Sequence, residues 1–162
     1  MAILNLVTAF MAGSMIFIFK ETLDKLIILA MYIPIVAGMG GNAASQVFAV
    51  MLRGITLGTI SFSNCGPAIW LEVKTGLLNG ILIGIIVAII SVVWNNDSWL
   101  GLVVGLSMIG AHLIAGFFGA FVPLFLQHIG KDPASTSTIF ITTATDVFGL
   151  FILLGLGSII LL

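Results

Sequence analysis

The segment from Trp70 to Trp94, WLEVKTGLLNGILIGIIVAIISVVW, decides the fold. From Thr75 to Trp94 it carries no charged residue. A helix needs roughly 20 apolar residues to cross the hydrocarbon of a bilayer, and a lone strand there would leave its backbone groups unpaired. This segment therefore predicts a membrane-spanning helix. Its two indoles suit the interfacial belts, where an aromatic body meets water at one edge. Gly76, Gly80 and Gly84 recur every four positions and form one helical face along which another backbone can come close. Gly101 and Gly105 repeat the spacing further on.

Outward from this segment, charged and turn-forming residues divide the remaining sequence into four more apolar stretches. The five predicted spans are about 2–19, 26–57, 70–94, 99–127 and 135–162, and Trp99 opens the fourth. Lys20, Glu21, Asp24 and Lys25 separate the first two and suit a membrane surface. No basic run precedes the first stretch, so it reads as a span and not as a cleaved signal. The predicted class is an all-α integral membrane protein, with one domain of five transmembrane helices over residues 1–162. The composition agrees: 60% of the 162 residues are hydrophobic, only 7% are charged, and the net charge is −1. That balance excludes a soluble domain and a basic nucleic-acid surface. A single cysteine, Cys65, forms neither an internal disulfide nor a thiolate cluster. Five spans place the termini on opposite sides. With a cytoplasmic N-terminus, Arg53, Lys74 and Lys131 face inward and Lys20 and Lys25 outward, too small a bias to set the orientation.

Polar residues inside the spans carry the functional information. A carboxylate at the centre of a transmembrane helix costs roughly 2.5–3.5 kcal/mol on insertion scales, so it faces a cavity, a partner or an ion. Asp146 is that residue, near the middle of the fifth span, where there is no lysine or arginine. Thr138, Thr142 and Asp146 are four apart and share one helical face, and Thr143 and Thr145 extend the polarity. Oxygen donors of this kind suit a hard cation such as Mg2+. Threonines in membrane helices also bond to their own backbone, and Asp146 could instead be a protonated structural acid or pair with Arg53 or Lys74. The second span holds the other polar concentration, Gly38 to Gln46, reading GMGGNAASQ. There Asn42 and Gln46 share a face with Gly38 one turn earlier, which suits either a water-filled path or helix-to-helix hydrogen bonds. His112 reads as a neutral core histidine, Glu72 and Lys74 as interfacial charges, and Asn79 as a neighbour of the glycine face. No nucleophile elbow, P-loop or H-E-x-x-H is present, so an enzyme is not expected.

Two separated stretches carry a resemblance. Pro34 to Arg53, PIVAGMGGNAASQVFAVMLR, and Lys131 to Gly149, KDPASTSTIFITTATDVFG, resemble the second helix and the last loop and fifth helix of the MgtE magnesium channels and transporters, which are related to a family of animal magnesium carriers. Glu72 opening the third span, and Gly119 with Pro123 in the fourth, extend the likeness along nearly the whole chain. The resemblance implies a homodimeric pore in the bilayer, lined by the second and fifth helices of two copies. Asp146 matches the family's ion-binding aspartate, with Thr142 and Thr138 as neighbouring metal positions. Asn42, Gln46, Gly38, Gly41, Ser45, Thr143 and Gly149 are the pore-lining or supporting positions. Mg2+ is then both cargo and pore ligand, and the setting implied is the prokaryotic cytoplasmic membrane. Fuller members carry an acidic N-terminal domain and a CBS pair, whereas this sequence begins at the first span. A separate cytoplasmic regulatory domain or subunit is therefore an expected partner. The alternatives are a carrier for Co2+ or Ni2+, a Na+/Mg2+ exchanger, or a non-conducting membrane scaffold or sensor.

Overall fold

The computed structural model describes residues 2–162. It is 89% helical, without a strand among the described residues. Its helices are α1 (Ala2–Ile18), α2 (Lys20–Lys25), α3 (Ile33–Thr56), α4 (Gly66–Asn95), α5 (Ser98–His128) and α6 (Pro133–Ile160), and a 3-10 segment, Ile27–Met31, leads into α3. Among the described residues, four stretches are long and apolar enough to cross a membrane: Ile27–Thr56, Gly66–Asn95, Ser98–His128 and Ser137–Ile160. At 17 residues, α1 is shorter.

Prolines and acidic caps set the boundaries more sharply than hydropathy does. The expected 26–57 span is not one continuous α-helix. Pro34 lies in the first turn of α3, where it has no amide hydrogen to offer the carbonyl four residues back and its ring would crowd that carbonyl, so a continuous α-helix does not run through and the chain arrives at α3 as a tighter 3-10 turn. The third helix begins at Gly66, with Pro67 in its first turn, so Trp70 lies inside the helix and not at its start. The fifth apolar helix starts at Pro133 and not at Ser135, because the Asp132 side chain accepts from the Ala134 amide at 3.1 Å and caps the end. Between α4 and α5 the turn is minimal. Asn96 takes a left-handed conformation, φ 51°, and Asp97 then accepts from the amides of Trp99 and Leu100 at 2.9 and 3.1 Å.

Helix α5 is the central element, with sixteen of its 31 residues buried. Against it pack α3, α4 and α6, while α1 leans on α6. The apolar core joins Leu29, Tyr32 and Val36 to Val103, Val104, Met108 and Ala111 of α5 and to Leu153 and Leu154 of α6. The glycine face of α4 is the seam with α5, and Gly76, Gly80 and Gly84 are all buried there. The opposite face of α4, with Leu78, Leu82, Ile86 and Ile89 more than half exposed, is as apolar as the core, as lipid requires.

A buried polar latch ties the start of α3 to the end of α4. Tyr32, 2% exposed, donates to Ser91 Oγ at 2.9 Å and accepts from Asn95 Nδ2 at 2.8 Å. Tyr32→Phe removes both bonds and keeps the ring. The expected loss is about 1–3 kcal/mol of stability, read as a lower thermal midpoint in detergent with transport unchanged.

Candidate functional site

Asp146 lies 13 residues into α6, which at 1.5 Å per residue is about 20 Å from either end of that helix. Its carboxylate makes no hydrogen bond or ion pair with any described residue, so neither Arg53 nor Lys74 neutralises it. It opens instead, with Thr142 and Thr143, onto a cleft of about 270 Å³ completed by Thr8 and Ala9 of α1. The sequence reading did not single out Thr8. Its signal was weak, one hydroxyl in a span that also holds Asn5 and Ser14.

Helical spacing placed Thr138, Thr142 and Asp146 on one face, and the structure does the same: Thr138 is exposed, and Thr142 and Asp146 are half-buried. The hydroxyls of Thr142, Thr143 and Thr145 are already engaged. Thr142 donates to the Thr138 carbonyl at 2.9 Å and Thr143 to that of Ile139 at 2.6 Å. Thr145 is fully buried on the other side of α6 and donates to Thr142 and Ile141 carbonyls. The open oxygens of this face are therefore the Asp146 carboxylate and the Thr138 hydroxyl, while the Thr142 and Thr143 hydroxyls bond the helix backbone.

On α3, Gly38, Asn42, Ser45, Ala49 and Arg53 form one exposed stripe of small and polar residues, quite unlike the aliphatic outer face of α4. Ser45 donates to the Gly41 carbonyl at 2.9 Å. A Cβ added at Gly38 or Gly41 meets nothing within 4 Å, so nothing inside one protomer demands glycine there. Gly40 differs, since it is buried and backs onto Ala111 and Thr145, where α3, α5 and α6 meet. Gly149 is buried with room for a methyl group against Val36 at 3.6 Å. Gln46 is not brought to Asp146. It lines a separate cavity between α3 and α4, together with Glu72, Asn79 and His112. Glu72, read from the sequence as an interfacial charge, also lines this cavity, and Asn79 faces it while the glycines beside it make the seam. His128, at the end of α5, stacks on Phe62 with centroids 4.2 Å apart.

A family model described as a divalent cation transporter, MgtE, matches residues 33–156. The magnesium transporter MgtE of Bacillus subtilis is 31% identical over 156 residues, covering 96% of this chain and 35% of that protein. The magnesium transporter MgtE of Enterococcus faecalis is 34% identical over 146 residues, 90% of this chain and 32% of its own length. That of Thermus thermophilus is 28% identical over 159 residues, 98% of this chain and 35% of its own. The chain thus spans about a third of the length of the curated relatives it matches.

Proposed function

Because this chain belongs to the MgtE family of divalent cation transporters, we propose that it forms a membrane pore for Mg2+ and that Asp146 is the ion's principal ligand. The observation that carries the reading is an unpaired carboxylate, midway along a membrane helix, opening onto a cleft lined by oxygen atoms. An isolated charge at that depth is retained only where it faces water, an ion or a partner.

The pore needs two copies. The exposed stripe of α3 and the Thr138, Thr142 and Asp146 face of α6 are each too polar for lipid, and pairing two protomers across a twofold axis removes both from it. Gly38 and Gly41 then have a reason to be glycine, namely close approach of the second copy or an unobstructed path. All five apolar helices, α1 included, cross the membrane in this arrangement, and α1 closes the outer wall of the Asp146 cleft through Thr8 and Ala9. Two facing aspartates balance the two charges of one magnesium ion. The ion keeps much of its water shell, because Mg2+ dehydrates reluctantly. Passage is driven by the membrane potential across a prokaryotic cytoplasmic membrane, with no chemical step. Control by a cytoplasmic domain or subunit fits relatives about three times as long.

Proteoliposomes with an inside-negative potential and an enclosed Mg2+ indicator test this. Expected is potential-driven Mg2+ entry above that of empty vesicles, reduced by less than half with equimolar Co2+ or Ni2+ outside, and a cross-linked dimer from single cysteines placed on the α3 stripe. Entry that requires a sodium gradient favours an exchanger, and a monomer without flux favours the scaffold reading.

A further inference from the structure

Apart from the Asp146 cleft, the chain holds a cavity of about 170 Å³ between α3, α4 and α5, largely apolar in its lining but with Gln46, Glu72, Asn79 and His112 along its wall. The glycine seam fixes its floor. A Cβ on Gly76 would lie 2.5 Å from the His112 carbonyl oxygen, and one on Gly116 2.6 Å from that of Glu72, so the backbones of Glu72 and His112 are held one turn apart on touching helices. Gln46 of α3 supplies the facing wall, and Asn79 lies two turns along α4 from Glu72.

The side chains here are uncommitted. His112 is 2% exposed, and its Nδ1 lies 2.8 Å from the Met108 carbonyl oxygen. A carbonyl only accepts, so Nδ1 carries a proton, and in the neutral ring Nε2 is the lone-pair nitrogen, without a partner among the described residues. The side chains of Glu72, Gln46 and Asn79 likewise have no hydrogen bond among the described residues. Lys74 is near in sequence but sits over the Trp70 ring, 5.2 Å from its centroid. One carboxylate, two amide carbonyls and one imidazole nitrogen therefore line a single space within the spanning region. Four uncommitted ligating groups around one cavity exceed what helix packing needs, since the glycine seam alone joins α4 to α5.

We propose that this cavity is a second divalent-cation site, away from Asp146, that takes ions accepting nitrogen as well as oxygen ligands, such as Co2+ or Mn2+, in preference to Mg2+. Imidazole suits the transition ions, whereas Mg2+ demands oxygen and retains its waters. Glu72 supplies the charge, His112 Nε2 the selectivity, and Gln46 and Asn79 neutral oxygens from opposite walls.

The test is a Co2+ titration of the purified chain in detergent, with Mg2+ in large excess to occupy the Asp146 cleft, followed by the visible ligand-field absorption. Expected is a Mg2+-resistant Co2+ site whose affinity falls at least about tenfold in Glu72→Gln and is unchanged in Asp146→Asn. Pulsed EPR of Mn2+ bound under the same conditions reports a histidine nitrogen without any substitution at the buried imidazole, and that signal is expected to survive His128→Gln. No Mg2+-resistant site, or one lost in Asp146→Asn and kept in Glu72→Gln, or one without a histidine nitrogen, overturns the proposal. The readout is binding, so a failure of the pore reading in flux assays leaves this result standing, and the reverse also holds.

Discussion

Asp146→Asn is expected to abolish potential-driven Mg2+ entry, lowering it at least about a hundredfold, while the protein folds and dimerises as before. Two opposite unit charges 4 Å apart interact by about 4 kcal/mol at an effective dielectric of 20, and a divalent ion doubles this. If only a third of that attraction survives the intervening water, its loss still costs the ion about a hundredfold in occupancy. Asparagine preserves the shape and one carbonyl oxygen, so packing against Thr142 and Thr143 is retained. The fold should gain slightly, because a membrane-embedded carboxylate without a partner has been removed, and the thermal midpoint in detergent is expected to stay level or rise. Asp146→Glu keeps the charge on a longer arm and is expected to retain part of the flux. Flux in Asp146→Asn equal to that of the unsubstituted chain takes the carboxylate out of the permeation path, whatever its binding properties.

The other large effect lies in the seam between α4 and α5. A methyl group at Gly116 would stand 2.6 Å from the Glu72 carbonyl oxygen and 3.2 Å from the Val73 Cα, and one at Gly76 would stand 2.5 Å from the His112 carbonyl oxygen. These neighbours are backbone atoms, which no rotamer change can move aside. The helices must separate, and each methyl forfeits contacts along the seam, about 1–3 kcal/mol for overpacking of this kind. Gly116→Ala and Gly76→Ala are therefore each expected to lower the thermal midpoint by several degrees. Together they should cost less than the sum of the two, since one separation makes room for both methyls. Gly38→Ala, where an added Cβ meets nothing within 4 Å, is the control and should leave the stability of the protomer unchanged. Full additivity of the seam pair, measured by thermal denaturation in one detergent, counts against a shared rigid contact.

Much of this was legible along the chain. Uninterrupted apolar runs dictate helices, because a backbone in lipid has no other way to satisfy its polar groups; a helix occupies each of the five apolar stretches, four of them long enough to cross a membrane, with ends shifted by up to four residues except at the start of α3, which comes seven residues late. The shifts come from local chemistry that hydropathy averages away, namely Pro34, Pro67, Pro133 and the capping carboxylates of Asp97 and Asp132. Asp146 was legible for the same reason as the helices, since a carboxylate is costly in lipid and its neighbours at four-residue spacing must share its face. The i, i+4 glycines of α4 likewise announced a close contact, though not with which helix.

Asn42 and Gln46 show where this legibility stops. Helical spacing puts them on one face of α3, yet the tertiary structure sends Gln46 to the cavity with Glu72 and His112 and leaves Asn42 on the exposed stripe. Thr8, Glu72 and Asn79 acquired their surroundings in the same way, from elements distant in sequence. In a soluble protein the polar side of a helix reveals which side is buried. Here the outer face of α4, with Leu78, Leu82 and Ile86, is as apolar as the buried face of α5, with Val103, Val104 and Met108, so composition does not distinguish lipid contact from core. The sequence by itself determined that there are membrane helices, which residues share a face, and that Asp146 is a costly charge midway along one of them. Only tertiary packing decided which helix covers each face, because lipid and protein interior attract an apolar side chain alike, and close fit at glycines does the choosing.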